Sequence, residues 1–239
     1  MSKIILLILV VVLLYQSSAT SLGVSLVGPL TKTAFSCLKQ QGYTRAMIRA
    51  FEISTFPGAI DTNATQTLIN AKAAGLVTSI YVVLCRTTDP AAIRHQLIDV
   101  FNGIDFHLYN WAWLKVEPNT TPGCTWEGYT QIENCNFILT CINVWVSFGI
   151  PVGVFTTYNI WEKYIGSTCP TAGLRTFYVW YADYTTTGHV NTTQSFDDFK
   201  PFGGWGYPWL KQIGGNITVK LCNNTNWHAF VDETWGLVA

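Results

Sequence analysis

Charge is scarce in this sequence. Only 12% of its 239 residues are charged, and the 14 lysines and arginines are matched by 14 aspartates and glutamates, for a formal net charge of zero. With no basic cluster to neutralise phosphates, the chain lacks the footprint of a nucleic-acid binder. It also lacks a C-x-x-C, and its four histidines lie far from one another and from the cysteines, so zinc-ligand spacing is missing. No metal site and no organic cofactor motif is expected. Beyond the N-terminus, no uninterrupted apolar run reaches the ~20 residues that span a bilayer. The longest candidate, Phe137 to Phe155, is broken by Asn143, Gly149, Pro151 and Gly153, which fits a buried helix running into a strand. Internal repeats, linkers and low-complexity tracts are absent too. What the chain has in quantity is apolar and aromatic surface, 49% and 14% of residues, which excludes disorder and a coiled coil and suits one domain with a sizeable core.

The first residues set the compartment. Lys3, the apolar run Ile4 to Tyr15 and the small residues Ser17 and Ala19 read as a secretory signal cleaved after Ala19, leaving residues 20–239 as the mature domain, with no membrane span. Secretion makes the Asn-x-Ser/Thr sequons at Asn63, Asn119, Asn191, Asn216 and Asn223 candidate glycan carriers on surface loops. It also makes the seven cysteines candidate disulfide partners. Cys124 with Cys135 and Cys37 with Cys222 are the pairs expected, and Cys141, inside an apolar run, is expected to be the buried thiol left over.

Strand-like and helix-like segments alternate after the signal. Strand candidates are Gly23–Val27, Ala46–Phe51, Thr78–Leu84, Tyr109–Glu117, Pro151–Thr156, Phe177–Tyr184, Trp209–Ile213 and Ala229–Asp232. Helices are expected over Lys32–Gln41, from Asp61 or Thr62 to Ala74, from Asp89-Pro90 to about Phe101, over about Asn134–Phe148, and over Ile160–Ile165. Eight strands with helices between most of them predict an α/β fold built as a closed β/α barrel, irregular after Phe177, where convincing helices are lacking.

Active sites of such barrels sit at the carboxyl ends of the strands. Four acids fall there: Glu52, Glu117, Asp183 and Asp232. Each alone could cap a helix or face solvent, but four converging on one mouth would form a glycosidase-type carboxylate cluster. Aromatic residues accompany them. Tyr109, Trp111 and Trp113 share side-chain parity with Glu117, and Trp180, Tyr181, Trp205, Tyr207 and Trp209 crowd the later segments. Rings with apolar faces suit sugar stacking, though inside strands core packing competes with that use.

Several motifs together resemble the glycoside hydrolase family 25 lysozymes, in particular their secreted eukaryotic branch. They are Gly23-Val24-Ser25, Trp113-Leu114-Lys115-Val116-Glu117, Trp180-Tyr181-Ala182-Asp183-Tyr184, Phe196-Asp197-Asp198-Phe199 with Pro201-Phe202-Gly203-Gly204-Trp205, Lys211-Gln212 and Val231-Asp232, in that order from about residue 23 to 235. The resemblance implies a flattened, irregular barrel acting on peptidoglycan or a related N-acetylated glycan, ancestrally by cleaving the β-1,4 bond after N-acetylmuramic acid. It matches Glu117 to the general acid and Asp232 to an acid at the end of the last strand; Asp183, from the strand-end acids, is a further catalytic candidate, and Trp113, Tyr181, Trp205 and Tyr207 are the substrate-binding candidates among the aromatic residues.

Two positions depart from the family pattern. Ser25 stands where an aspartate of the first strand is expected, and Lys115 where the aspartate of Asp-x-Glu is expected. Residues two apart on a strand point the same way, so Lys115 and Glu117 should share the barrel interior. A cation that close favours an ionised carboxylate, the wrong form for a proton donor. Two alternatives follow: a secreted lysozyme in which Asp183 or Glu52 compensates, or a glycan-binding pseudoenzyme with a Lys115–Glu117 ion pair. A generic secreted adhesion domain is a third.

Overall fold

The computed structural model describes residues 21–167, 169, 178–182, 195–222 and 226–234. Residues 1–20, expected to hold a signal, and Asp183 therefore lie outside the described residues. Nine strands form one sheet: β1 (Ser21–Leu26), β2 (Tyr43–Glu52), β3 (Ala59–Ile60), β4 (Val77–Val83), β5 (Ala112–Lys115), β6 (Val152–Thr156), β7 (Tyr178–Ala182), β8 (Leu210–Lys220) and β9 (Asn226–Thr234). The order is β1-β9-β8-β7-β6-β5-β4-β2-β3, and a further β1–β2 pairing closes it into a ring, with β3 as an outrigger. Neighbours from β1 through β2 and β4 to β8 are parallel. The expected α/β barrel is thus the observed one.

Besides the two-residue β3, which pairs antiparallel to β2, one strand departs from the expected parallel pattern. β9 runs antiparallel to both β8 and β1. Its link to β8 is too short for a parallel crossover, which needs a dozen or more residues, so the chain turns back as a hairpin.

Helices α1 (Lys32–Gln40), α2 (Ala64–Ala73), α3 (Pro90–Arg94), α4 (Val100–Gly103), α5 (Gln131–Ser147) and α6 (Tyr158–Tyr164) connect the parallel strands. Their starts are written in the sequence. Asp89 accepts from Ala91 N ahead of Pro90, Thr31 caps α1, and Thr157 caps α6. Thr130 and Glu133 make a reciprocal capping box that starts α5 three residues earlier than expected. Between α3 and α4, His95–Asp99 widens into a π-helical turn.

Alternation along the strands divides the core into two layers. Ala46, Ile48, Ile80, Val82, Ala112, Leu114, Val154 and Val179 face the helices. The alternate positions fill the barrel interior with Met47, Tyr81, Trp113, Phe155, Trp180 and Leu210. Trp180 meets Phe155 edge-on at 4.7 Å, Trp113 at 5.7 Å and Tyr81 at 6.3 Å. Such ring pairs add roughly 0.5–1.5 kcal/mol each beyond burial. Trp113 fits only because its neighbour on β6 is Gly153, where a Cβ would stand 2.2 Å from the indole.

Three disulfides staple the described fold: Cys37–Cys222, Cys85–Cys124 and Cys135–Cys169. The first is as expected. The expected Cys124–Cys135 bridge is replaced, because Cys135 lies inside α5 and turns to the segment after α6, while Cys124 reaches back to the end of β4. Cys141 is the buried free thiol, and burial pushes its ionisation well above the ordinary thiol range, so it stays protonated. No described helix is long and apolar enough to cross a membrane.

Candidate active site

The mouth of the barrel is built where β5 ends. Lys115 is the last residue of that strand and Glu117 follows two residues on. The shared direction expected of them holds: Lys115 Nζ lies 3.1 Å from Glu117 Oε1, with the lysine side chain 15% and the glutamate 28% exposed. Below the ammonium are rings of the interior layer, Phe155 at 4.8 Å and Tyr81 at 5.7 Å from Nζ to the ring centroid. The cation is held between a carboxylate and two aromatic faces.

Ser25 on β1 is buried, and Gln212 Nε2 on β8 donates to its hydroxyl at 3.5 Å, the outer limit of a hydrogen bond. Asp232 comes to this neighbourhood by register, since its backbone pairs with Gly23 of β1 and with Gln212. Its strand runs antiparallel, and the register through Gln212 puts its backbone level with Ala182 at the carboxyl end of β7. Glu52, weighed as a compensating acid, is engaged elsewhere. Arg49 Nη2 contacts its carboxylate at 2.9 Å and, with Nε, donates to Asp61 Oδ2 at 2.9 and 3.1 Å.

The aromatic candidates separate on exposure. Trp113 is buried in the interior layer and has no face left for a ligand. Trp205 is buried on the outer side, edge-on to Trp161 at 4.9 Å, across a turn in which Gly203 takes φ +56°. Tyr181 follows Trp180 and so points to the opposite side of the sheet, into the helix-facing core. Tyr109 joins that outer core as well, because the 3-10 turn Phe106–Leu108 ends just before it and β5 has not begun. Tyr207 is 71% exposed and is the one of the four substrate-binding candidates that offers a ring to solvent.

Sequence reasoning quoted Asp198 and Lys211 within motifs and missed that they meet. The fully buried Lys211 ammonium donates to Asp198 Oδ2 at 2.8 Å, to Oδ1 at 2.9 Å and to the Ser195 carbonyl at 2.7 Å. Tyr181 OH donates to Asp198 Oδ1 at 2.6 Å. Burial raises the Asp198 carboxyl's ionisation, but the bonds from Lys211 and Tyr181 outweigh it and leave the group below the ordinary aspartate range. This network pins the 195–202 loop to β7 and β8. Beside it opens a cavity of about 310 Å³ bordered by Tyr158, Asn159, Asp198, Lys200, Phe202 and, among the substrate-binding candidates, Tyr181.

On the far side of the mouth, Arg86 follows β4. It is buried, donates to Asn134 Oδ1 at 2.8 Å, and stacks 3.7 Å over the Tyr129 ring. Together with the Cys85–Cys124 bridge it ties the β4 and β5 loops to α5. Among the described residues, no three histidine, cysteine, aspartate or glutamate side chains gather as a metal site would require.

A family model described as Lysozyme-like protein 1 matches residues 16–213. The chain is 31% identical to Probable GH family 25 lysozyme 5 of Dictyostelium discoideum, over 91% of this chain and 94% of that protein. It is 25% identical to Lysozyme-like protein 5 of Caenorhabditis elegans, over 87% and 92% of the two chains. Solved structures share the fold. A bacterial lysozyme from Streptomyces coelicolor superposes with a TM-score of 0.66 at 16% identity, covering 92% of this chain and 94% of that one. A family GH25 lysozyme from Aspergillus fumigatus does so with a TM-score of 0.63 at 17% identity, covering 91% and 95%.

Proposed function

The chain belongs to the lysozyme-like proteins of glycoside hydrolase family 25, and from that premise we propose that it is a secreted protein that binds peptidoglycan, or a related N-acetylated glycan, at the barrel mouth without hydrolysing it. The observation that carries this reading is the 3.1 Å contact between Lys115 and Glu117. Glycoside cleavage requires a protonated carboxylic acid to donate to the leaving oxygen while positive charge develops at the sugar carbon. The ion pair uses Glu117 as a carboxylate, and the Lys115 ammonium stands where it repels that developing charge. Ser25 supplies a neutral hydroxyl in place of an aspartate that would stabilise the charge. Glycan affinity needs none of these acids, since sugar hydroxyls can hydrogen-bond to an ionised carboxylate or to a neutral hydroxyl.

Sedimentation of the mature protein with insoluble peptidoglycan, run beside a cell-wall clearing assay, tests the proposal. The expected result is binding with no clearing above blank, and clearing abolished by Glu117→Gln contradicts it. A second reading, a working lysozyme, draws on one observation: Glu117 is more exposed than Lys115, so its carboxylate remains reachable from the mouth. That reading requires Lys115 to leave its aromatic seat when glycan binds.

A further inference from the structure

Two Asn-x-Thr sequons have described side chains, and the fold puts them to opposite uses. Asn63 of Asn63-Ala64-Thr65 is exposed at the N-cap position of α2 and makes no capping hydrogen bond with its side chain. Asp61 serves that helix end instead, its Oδ1 accepting from Asn63 N at 3.0 Å. The Asn63 amide is therefore free of structural duty and open to solvent.

Asn119 of Asn119-Thr120-Thr121 is the reverse. Its Nδ2 is buried without a hydrogen-bond partner, and its Oδ1 accepts from Thr121 N at 3.2 Å. The Thr121 hydroxyl donates to the Ile53 carbonyl just beyond β2. Both recognition residues of this sequon are thus consumed in tying the loop that carries Glu117 to the segment that follows β2. An N-linked sugar is attached to Nδ2, and an Nδ2 shut off from solvent has no room for one.

We propose that Asn63 carries an N-linked glycan and that Asn119 stays unmodified, serving as a clamp on the Glu117 loop. In the transfer, Asn63 Nδ2 attacks C1 of a lipid-pyrophosphate-linked oligosaccharide. The Nδ2–C1 bond forms, the C1–O bond breaks with its electron pair leaving on the pyrophosphate, and the amide proton is lost to base. Export through the segment before Ser21 supplies the compartment that holds this donor.

The test expresses the full chain with its own leader in a secreting eukaryotic cell and digests the product with peptide N-glycosidase in heavy-oxygen water. Each occupied asparagine then becomes a labelled aspartate. Label at Asn63 and none at Asn119 is expected. In parallel, Asn63→Gln should gain electrophoretic mobility by one glycan, whereas Asn119→Asp, which keeps the oxygen acceptor, should be secreted with unchanged mobility. Label at Asn119, a mobility gain in Asn119→Asp, or an unlabelled Asn63 overturns the proposal.

Discussion

Lys115–Glu117 and Lys211–Asp198 are chemically the same pair set on opposite faces of one barrel wall. At the mouth, Lys115 faces inward and meets Glu117 at 3.1 Å, with both groups partly exposed. On the outer face, Lys211 is fully buried and grips both oxygens of Asp198 at 2.8 and 2.9 Å, with Tyr181 and the Ser195 carbonyl completing the shell. A charge deprived of its partner costs more the less solvent it can reach, and the lysines set the two pairs apart: Lys211 is fully buried and Lys115 15% exposed, while the carboxylates are about equally exposed. The outer pair is therefore structural, whereas the effect proposed for the inner pair is on chemistry.

The largest effect expected on this contrast is from Asp198→Ala. It strands the Lys211 ammonium and should cost about 3 kcal/mol, at the low end for a buried pair because Asp198 is 31% exposed. Thermal melts should fall by roughly 6–12 °C for a chain of this size. Replacing both partners, Asp198→Leu with Lys211→Met, should recover much of the loss, since a packed apolar pair has no stranded charge. Equal destabilisation by the single and double changes would remove the distinction.

Acid comes next. Because the folded Asp198 carboxyl ionises below its unfolded value of about 3.9, its contribution is fully present above that pH and is lost as pH falls through the depressed folded value. Melts taken from pH 7 down to about 3 should show a steeper loss for the native chain than for the Leu/Met double variant. Parallel curves would place the acid sensitivity elsewhere.

At the mouth the effects on stability should be small. Glu117→Gln and Lys115→Met should each shift stability by about 1 kcal/mol or less, measured by denaturant titration. A loss matching Asp198→Ala would make the inner pair structural as well. Ser25→Asp combined with Lys115→Asp should raise glycan-cleaving activity from background to a measurable level in a reducing-sugar assay. No gain would count against the reason given for inactivity.

Much of this architecture was legible because strands, helix caps and side-chain parity are local properties. Asp89-Pro90 marked a helix start, and the two-residue spacing of Lys115 and Glu117 put them on one side. What stayed hidden depends on chain direction and on distant partners. The direction of the last strand was one such property: β9 runs antiparallel and reaches the level of Gln212 and Ala182 from the opposite side. Parity failed at Tyr109, where a 3-10 turn interrupts the extended chain before β5. Spacing favoured Cys124–Cys135, yet the capping box at Thr130 puts Cys135 inside a helix that aims it at Cys169. The Asp198–Lys211 pair joins a loop to a strand, and no periodicity links the two.

The central claim is that the lysine standing beside Glu117 has ended hydrolysis while the fold remains intact. It is tested most directly by incubating the native mature protein and its Glu117→Gln variant with purified peptidoglycan and measuring released reducing ends. The account predicts that neither exceeds the blank. Release by the native protein that disappears in Glu117→Gln would contradict it.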